Sequence, residues 1–397
     1  MLPFNSVCEL CSVIDARFGG RRFFQAIGST GRCMAAVLAA VALSLSGPAT
    51  AEVQGGDADA VVDPVAGLTD SVQPGPPVYA TLGAALSMAP PDGRSPYRVY
   101  VAPGTYREKL FIDRPDVHLI GSDREATVIS WSDSAATAGP DGTPLGTAGS
   151  ATLTVAAPGF RAERLTIEND FDYPGNRALP DDDPRKVQQM QAVAMYTTGD
   201  SDRAVFVDVT LSGYQDTLFV DAGRHWFQNC RILGHVDFIF GAGQAVFEDC
   251  DIISRNRMDK NPTGYVTAPS THVSEPYGLL FLNSRFLRET PDVPAASVRL
   301  GRPWHPNSDP TAEGSAVFVN CYMDDHIGEQ GYAPISGAGP DGERIWFEVD
   351  ERSRFFEFGN HGPGALQSAD RRWLTAGQVA WYTREQVLRD WQPWRED

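Results

Sequence analysis

Apolar and polar positions alternate along most of this chain, and the alternation itself repeats. Phe206-Val-Asp-Val-Thr-Leu211 superposes on Phe227-Gln-Asn-Cys-Arg-Ile232 and on Phe247-Glu-Asp-Cys-Asp-Ile252, at offsets of 21 and 20 residues (227 − 206; 247 − 227). Weaker copies stand at Phe281-Leu-Asn-Ser-Arg-Phe286 and Phe318-Val-Asn-Cys-Tyr-Met323. Short alternating strands with Asn or Asp at a fixed turn position, repeated every 20 residues or so, predict stacked coils: an all-β solenoid, a right-handed parallel β-helix. Upstream, 98–101, 104–108, 110–112, 117–120, 127–129 and 151–155 read as strands closed by Gly, Pro, Asp or Ser. Thr81 before Leu82, Ala85, Leu86 and Ala89 predicts a short helix that plugs one end. Thr375-Ala-Gly-Gln378 and Thr383-Arg-Glu-Gln386 are capping boxes opening short terminal helices that turn Val379, Tyr382, Val387, Leu388 and Trp391 inward. Segments 133–150, 171–190, 254–278 and 287–315 are too long for coil turns, and loops of that length wall a groove.

The first 51 residues break the pattern. Arg17, Arg21, Arg22 and Arg32 precede the apolar run Met34-Ala-Ala-Val-Leu-Ala-Ala-Val-Ala-Leu43, and small residues follow at Ala49-Thr50-Ala51. That order predicts a signal peptide over 1–51, hence a secreted protein, extracellular or periplasmic. A flexible lead-in over 52–77, rich in Gly, Asp, Ala, Val and Pro, would then precede a single solenoid domain over 78–397. Processing removes Cys8, Cys11 and Cys33 and leaves Cys230, Cys250 and Cys321. Cys230 and Cys250 share a column on neighbouring coils, so an exported chain is expected to join them in a disulfide. The formal net charge of −18 argues against nucleic acid or an anionic membrane as partner.

Register also aligns two carboxylates. Asp216 lies ten residues after Phe206 and Asp237 ten after Phe227, so they should stack roughly 4.8 Å apart on adjacent coils. The same count from Phe247 falls on Arg257. An Asp ladder in a repeat is ordinarily a solvated turn, but both aspartates are flanked by apolar residues, Leu-Phe-Val after the first and Phe-Ile-Phe after the second. Two such groups cannot both ionise cheaply: one keeps its proton while the other stays anionic. Arg302, in Leu300-Gly-Arg-Pro-Trp304, could fork onto the anionic one or simply cap strand ends, and Trp304 could be core or a platform for a sugar ring. No Gly-x-Ser-x-Gly elbow, His-x-x-x-His pair or phosphate loop occurs, so a serine triad, zinc and nucleotides find no support.

Four segments together, Gln191-Ala-Val-Ala-Met-Tyr196, Gly213-Tyr-Gln-Asp-Thr-Leu218, Gly234-His-Val-Asp-Phe-Ile-Phe-Gly241 and Leu300-Gly-Arg-Pro-Trp304, resemble the signature segments of pectin methylesterases. Gly104-Thr-Tyr-Arg-Glu108 and Met323-Asp-Asp-His-Ile327 fit the same pattern. Leu165-Thr-Ile-Glu-Asn-Asp-Phe-Asp172, Thr267-Ala-Pro-Ser270 and Arg354-Phe-Phe-Glu357 bring it nearest the secreted bacterial branch. The resemblance runs from about residue 78 to the end of the chain. It implies that 78–397 is the catalytic domain and that pectin, as methylated homogalacturonan, is the substrate. No cofactor or metal is implied, and capped solenoids of this kind can work as monomers. By position, it makes Asp237 the nucleophile, Asp216 the general acid and base, Gln215 and Gln191 the oxyanion amides, and Arg302 the cation orienting Asp237. Trp304, Thr147 and Arg257 become substrate contacts. His235 departs from the pattern, since many members carry Thr beside the nucleophile. Rival readings are a polygalacturonate hydrolase or lyase on the same scaffold, a divergent esterase or thioesterase, and a non-catalytic glycan-binding β-helix.

Overall fold

The computed structural model describes residues 57–65, 75–258, 260–339 and 341–395. The segment read as a signal peptide, with Cys8, Cys11 and Cys33, lies outside the described residues.

The repeating strands stack into three parallel sheets of 11, 8 and 7 strands, wound as a right-handed parallel β-helix. One coil illustrates the rest: Arg224–Gln228 lies in the first sheet, Arg231–Gly234 in the second and Val236–Gly241 in the third. The register is the one the repeat predicts, with Phe206 opposite Phe227, Phe227 opposite Phe247, Phe247 opposite Phe281 and Phe281 opposite Phe318. These five rings stack down the interior with centroids 4.4, 4.7, 4.6 and 5.0 Å apart and planes within 14° of parallel. All five are fully buried, and truncating one to Ala should cost about 3–5 kcal/mol.

Between the first and second sheets five successive coils turn through one Asn or Asp of left-handed backbone, Asp208, Asn229, Asp249, Asn283 and Asn320, with φ between 50° and 57°, and Arg164 holds the same place one coil earlier. Asn and Asp tolerate that conformation better than other side chains with a Cβ, which explains why the repeat keeps them there. The next residue points inward, giving a buried column that includes Cys230, Cys250, Ser284 and Cys321.

Here the structure corrects an expectation. Cys230 and Cys250 do lie on neighbouring coils, but both are free thiols, as is Cys321. Each Sγ donates to the carbonyl two residues back, and each also donates to a phenylalanine carbonyl of the preceding coil: Phe206 for Cys230, Phe227 for Cys250, Phe281 for Cys321. Ser284 makes the same two bonds with its hydroxyl. The column uses small donors to satisfy carbonyls at the turn, and the thiols are engaged there instead of with each other in a covalent bond.

The N-terminal end and one flank of the solenoid are covered by short helices. Leu82–Leu86 forms a helix capped by Thr81 Oγ1, with Leu82 and Ala85 fully buried, and Glu108 accepts from the Leu82 and Gly83 amides at its start. Within the segment read as a flexible lead-in, Ala60–Val62 is a buried strand of the first sheet, paired with Tyr97–Val101. The C-terminal helices Ala376–Val379 and Arg384–Leu388 lie along the side rather than over the end, bringing Val387, Leu388 and Trp391 against Trp226, Val246 and Leu280. Thr375 forms the full reciprocal capping box, whereas Thr383 supplies the side-chain cap. Two of the segments read as loops, 254–278 and 287–315, contain strands of the third sheet, Gly264–Pro269 and Val298–Gly301. Long flanking stretches rich in Gly, Pro and Asp hide both from the 20-residue count.

Candidate active site

The chemistry gathers on the outer face of the third sheet. Gln191 bridges Gln215, and Gln215 bridges Val236, so the next residues, Asp216 and Asp237, share a column as the count predicts. Both aspartates are themselves in the left-handed region, with φ of 65° and 51°. A register shift between Val236 and Ile239 follows immediately as the strand pairs with Gly264–Pro269, and such irregularities re-aim side chains beside functional sites.

Arg302 leaves the end of Val298–Gly301 and forks onto Asp237, with Nε 2.7 Å from Oδ1 and one terminal nitrogen 2.5 Å from Oδ2. The guanidinium also lies 4.0 Å from the centre of the Tyr265 ring. A bidentate charge-assisted pair fixes both oxygens of Asp237 and neutralises its charge locally. Asp216 has no such partner. Its carboxyl is held well above the usual carboxylate range, first by burial and then by the Asp237 charge, against the opposing pull of Arg302 and a hydrogen bond from Gln215. The pair therefore splits into an anion and a neutral acid.

These groups open into a cleft of about 340 Å³. Seven residues selected from the sequence line it: Gln191, Gln215, Asp216, Asp237, Arg302, Trp304 and Thr147. Thr147 enters on the short helix Gly146–Gly149. Arg257 does not line the cleft. Its charge and that of Arg255 add to burial in lowering the His235 pKa well below the ordinary histidine value. His235 is fully buried, edge-on to Tyr173 at 4.3 Å between centroids, with neither ring nitrogen partnered. Among the described residues no cluster of His, Cys, Asp and Glu is arranged to hold a metal ion.

Sequence reasoning missed the aromatic floor. Phe219 and Phe240 stack at 4.2 Å, and Trp304 meets both edge-on, at 6.1 and 5.5 Å. Each Phe lies three residues after a site aspartate, on the same outward column, so the register already in hand could have placed them. Ala268, Ile335 and Ser336 complete the lining. They carry no chemical signature, and only the fold brings them in.

Comparison with known proteins decides the family. A family model described as pectinesterase matches residues 72–388. The chain belongs to the pectinesterase family. Pectinesterase A of Dickeya dadantii (strain 3937) is 45% identical over 326 residues, 79% of this chain and 88% of its own. The solved pectin methylesterase from Erwinia chrysanthemi is 46% identical with a TM-score of 0.79, covering 85% of this chain and 98% of that one. A structure of pectin methylesterase in complex with a hexasaccharide matches at 46% identity and a TM-score of 0.80, over 85% and 98% of the two chains. This pectinesterase is thus a carboxylic ester hydrolase of the bacterial branch.

Proposed function

We propose that the cleft hydrolyses galacturonate methyl esters in pectin through an aspartyl acyl-enzyme, with Asp237 as nucleophile and Asp216 as proton carrier. The observation that carries this reading is the unequal pair: Asp237 forked by Arg302, and Asp216 buried with a raised pKa. An Asp237 oxygen attacks the ester carbonyl carbon, and the negative charge moves to the carbonyl oxygen. Amide N–H groups of Gln215 and Gln191 stabilise that oxyanion. As the intermediate collapses, Asp216 gives its proton to the leaving methoxide, methanol departs, and an anhydride joins substrate to Asp237. A water then attacks the substrate carbonyl carbon with Asp216, now ionised, accepting its proton. The anhydride bond breaks to return Asp237 as a carboxylate, Asp216 is again protonated, and the new acid on the polymer gives its remaining proton to solvent and leaves as a carboxylate.

Trp304, with Phe219 and Phe240 beneath it, forms the sugar platform. Thr147 contacts the chain from the cleft wall, whereas Arg257, which does not line the cleft, has no such support as a substrate contact. The hexasaccharide held by a relative of 46% identity supports a polymeric substrate here. The N-terminal segment supports export with cleavage near Ala51, and the helix capping the N-terminal end of the solenoid supports a monomer.

The test is to incubate the protein with highly methylated pectin and follow methanol and chain length together, beside Asp237→Ala. Methanol release without chain shortening, lost in the variant, is the expected result. Chain shortening would point to the hydrolase or lyase reading, and a well-folded protein releasing no methanol would sink the pectin assignment.

A further inference from the structure

Residues 165–172 carry part of the family resemblance, yet none of them lines the cleft. Asn169 closes the strand Thr166–Asn169, pairs there with Trp131 of the preceding coil, and is only 3% exposed. Its Nδ2 faces three main-chain carbonyls, those of Asp133 at 2.8 Å, Ser150 at 3.1 Å and Val193 at 3.1 Å, while its Oδ1 accepts from the Phe171 amide. One side-chain amide thus ties both ends of the 133–150 loop to the segment that follows Gln191.

These bonds close a ring around Gln191. The Gln191 carbonyl accepts from the amide of Ala135, which follows Asp133 in the loop, and the chain then runs from Gln191 to Val193 and back to Asn169. Ser150 braces the ring: its hydroxyl accepts from the Val193 amide at 3.1 Å and donates to the Thr147 carbonyl at 2.7 Å. Thr147 and Gln191 line the cleft from the two segments joined in this way. The side chain of Gln191 has less to hold it. Its Oε1 is buried with no hydrogen-bond partner among the described residues, whereas Gln215 is bonded to Asp216. The Gln191 amide is therefore placed by its backbone. On one side that backbone is a rung of the coil, with the Ala192 amide donating to the Gln215 carbonyl; on the other it is held by the ring that Asn169 closes.

We propose that Asn169 is the positioning residue of the Gln191 amide, holding Asp133 and Val193 so that the amide N–H meets the oxyanion as it forms. The inference rests on the reading of Gln191 as an oxyanion donor. Such a donor works because it is fixed before the charge develops, and Asn169 supplies the fixing without touching substrate. An aspartate in its place keeps the shape and the acceptor for Phe171 but turns an oxygen onto three carbonyls that have lost their donor. The loop and the Gln191 segment then shift relative to each other, and a displacement of about 1 Å at a reacting group costs about 10²-fold in rate. The Asp237–Arg302 pair and Trp304 lie outside the ring and keep their contacts.

The experiment introduces Asn169→Asp into the parent and into Gln191→Ala and follows methanol release from highly methylated pectin. In the parent, kcat should fall about 10²-fold while KM moves less than about threefold. In Gln191→Ala, where the amide to be positioned is gone, the same substitution should lower kcat less than about threefold. A residue that merely supports the fold would cost the same in both backgrounds. Thermal melts accompany each variant. Should Asn169→Asp melt far below the parent, Asn169→Ser, which keeps a donor in a smaller side chain, gives the same comparison with a milder loss. Equal losses with and without Gln191, a loss carried by KM, or a parental kcat in Asn169→Asp would each overturn the inference and leave the esterase reading standing. A parental kcat in Gln191→Ala would instead remove the oxyanion role of Gln191, and the inference with it.

Discussion

Two sets of aspartate and asparagine residues in this molecule share a backbone conformation and have opposite fates. Along the turn between the first and second sheets, Asp208, Asn229, Asp249, Asn283 and Asn320 adopt left-handed φ; so do Asp216 and Asp237 beside the third sheet. The turn residues mostly face water, and where they interact they do so with each other or with a neighbouring cation: Asn229 Nδ2 donates to Asp208 at 3.2 Å, and the buried Arg124 reaches out to the half-exposed Asp208. Asp216 is only 8% exposed, while Asp237 is clasped by Arg302. The conformation places a short polar side chain on a coil, and burial with one cation turns the placement into chemistry. Register alone makes a ladder.

That contrast can be broken most severely at Asp237. Asp237→Ala should reduce methanol release about 10⁴-fold or more, and Asp208→Ala, the same change on the turn, should leave it within the error of the assay. Asp216→Asn removes the proton carrier and should cost about 10²–10⁴ in kcat. Its stability should move the other way. The folded pKa of Asp216 is raised, so the folded state holds a proton that the unfolded chain gives up above the ordinary carboxylate range, and stability falls as pH rises through that window. Asp216→Asn escapes this loss. Thermal melts should place the variant above the parent at neutral pH, with the gap closing as pH falls below the ordinary aspartate value. In the parent, kcat/KM should decline on the alkaline side as Asp216 ionises, a limb that the variant's residual activity lacks. A variant less stable than the parent at neutral pH would contradict the buried neutral acid.

The coils were legible because a ladder repeats its own signal. Phe206, Phe227, Phe247, Phe281 and Phe318 mark the period, and counting from them put Asp216 beside Asp237 and Cys230 beside Cys250. What counting cannot reach is anything set by direction or by long detours. The column placed the two thiols correctly, yet they stay unjoined, each bonded to a carbonyl of the previous coil. Strands Gly264–Pro269 and Val298–Gly301 follow detours that break the period, and the antiparallel pair within 335–347 has no repeat to be counted against. Arg302 and Trp304 were found by motif, while Ser336, which touches the same cleft, carries no motif at all.

A smaller catalytic effect should follow from the amides. Gln215→Ala removes one oxyanion donor and also the hydrogen bond that Gln215 makes to Asp216. About 10²–10³ in kcat is expected from the first loss. The second removes a contact that favours the charged form, so the alkaline limb should shift upward in pH. A loss in kcat with an unmoved limb would separate the two roles and assign Gln215 to the oxyanion alone.

The least effect on catalysis, and the cleanest on structure, belongs to the turn. Asn229 has φ of 51° with its side chain in solvent, so Asn229→Ala keeps a Cβ but loses the local polar contacts that ease a left-handed backbone, at a cost of about 1 kcal/mol. Asn229→Gly removes the Cβ penalty and should recover most of that. Both should turn over methylated pectin at the parental rate, because Asn229 sits at the turn between the first and second sheets, not beside the third sheet that carries the cleft, and its neighbours Phe227 and Cys230 stay locked in their columns. Chemical denaturation would read the first effect and methanol release the second. If the glycine variant were as unstable as the alanine one, the turn would be held by the Asn229 bond to Asp208 rather than by backbone preference, and the two ladders would resemble each other more closely: each would depend on a side-chain partner.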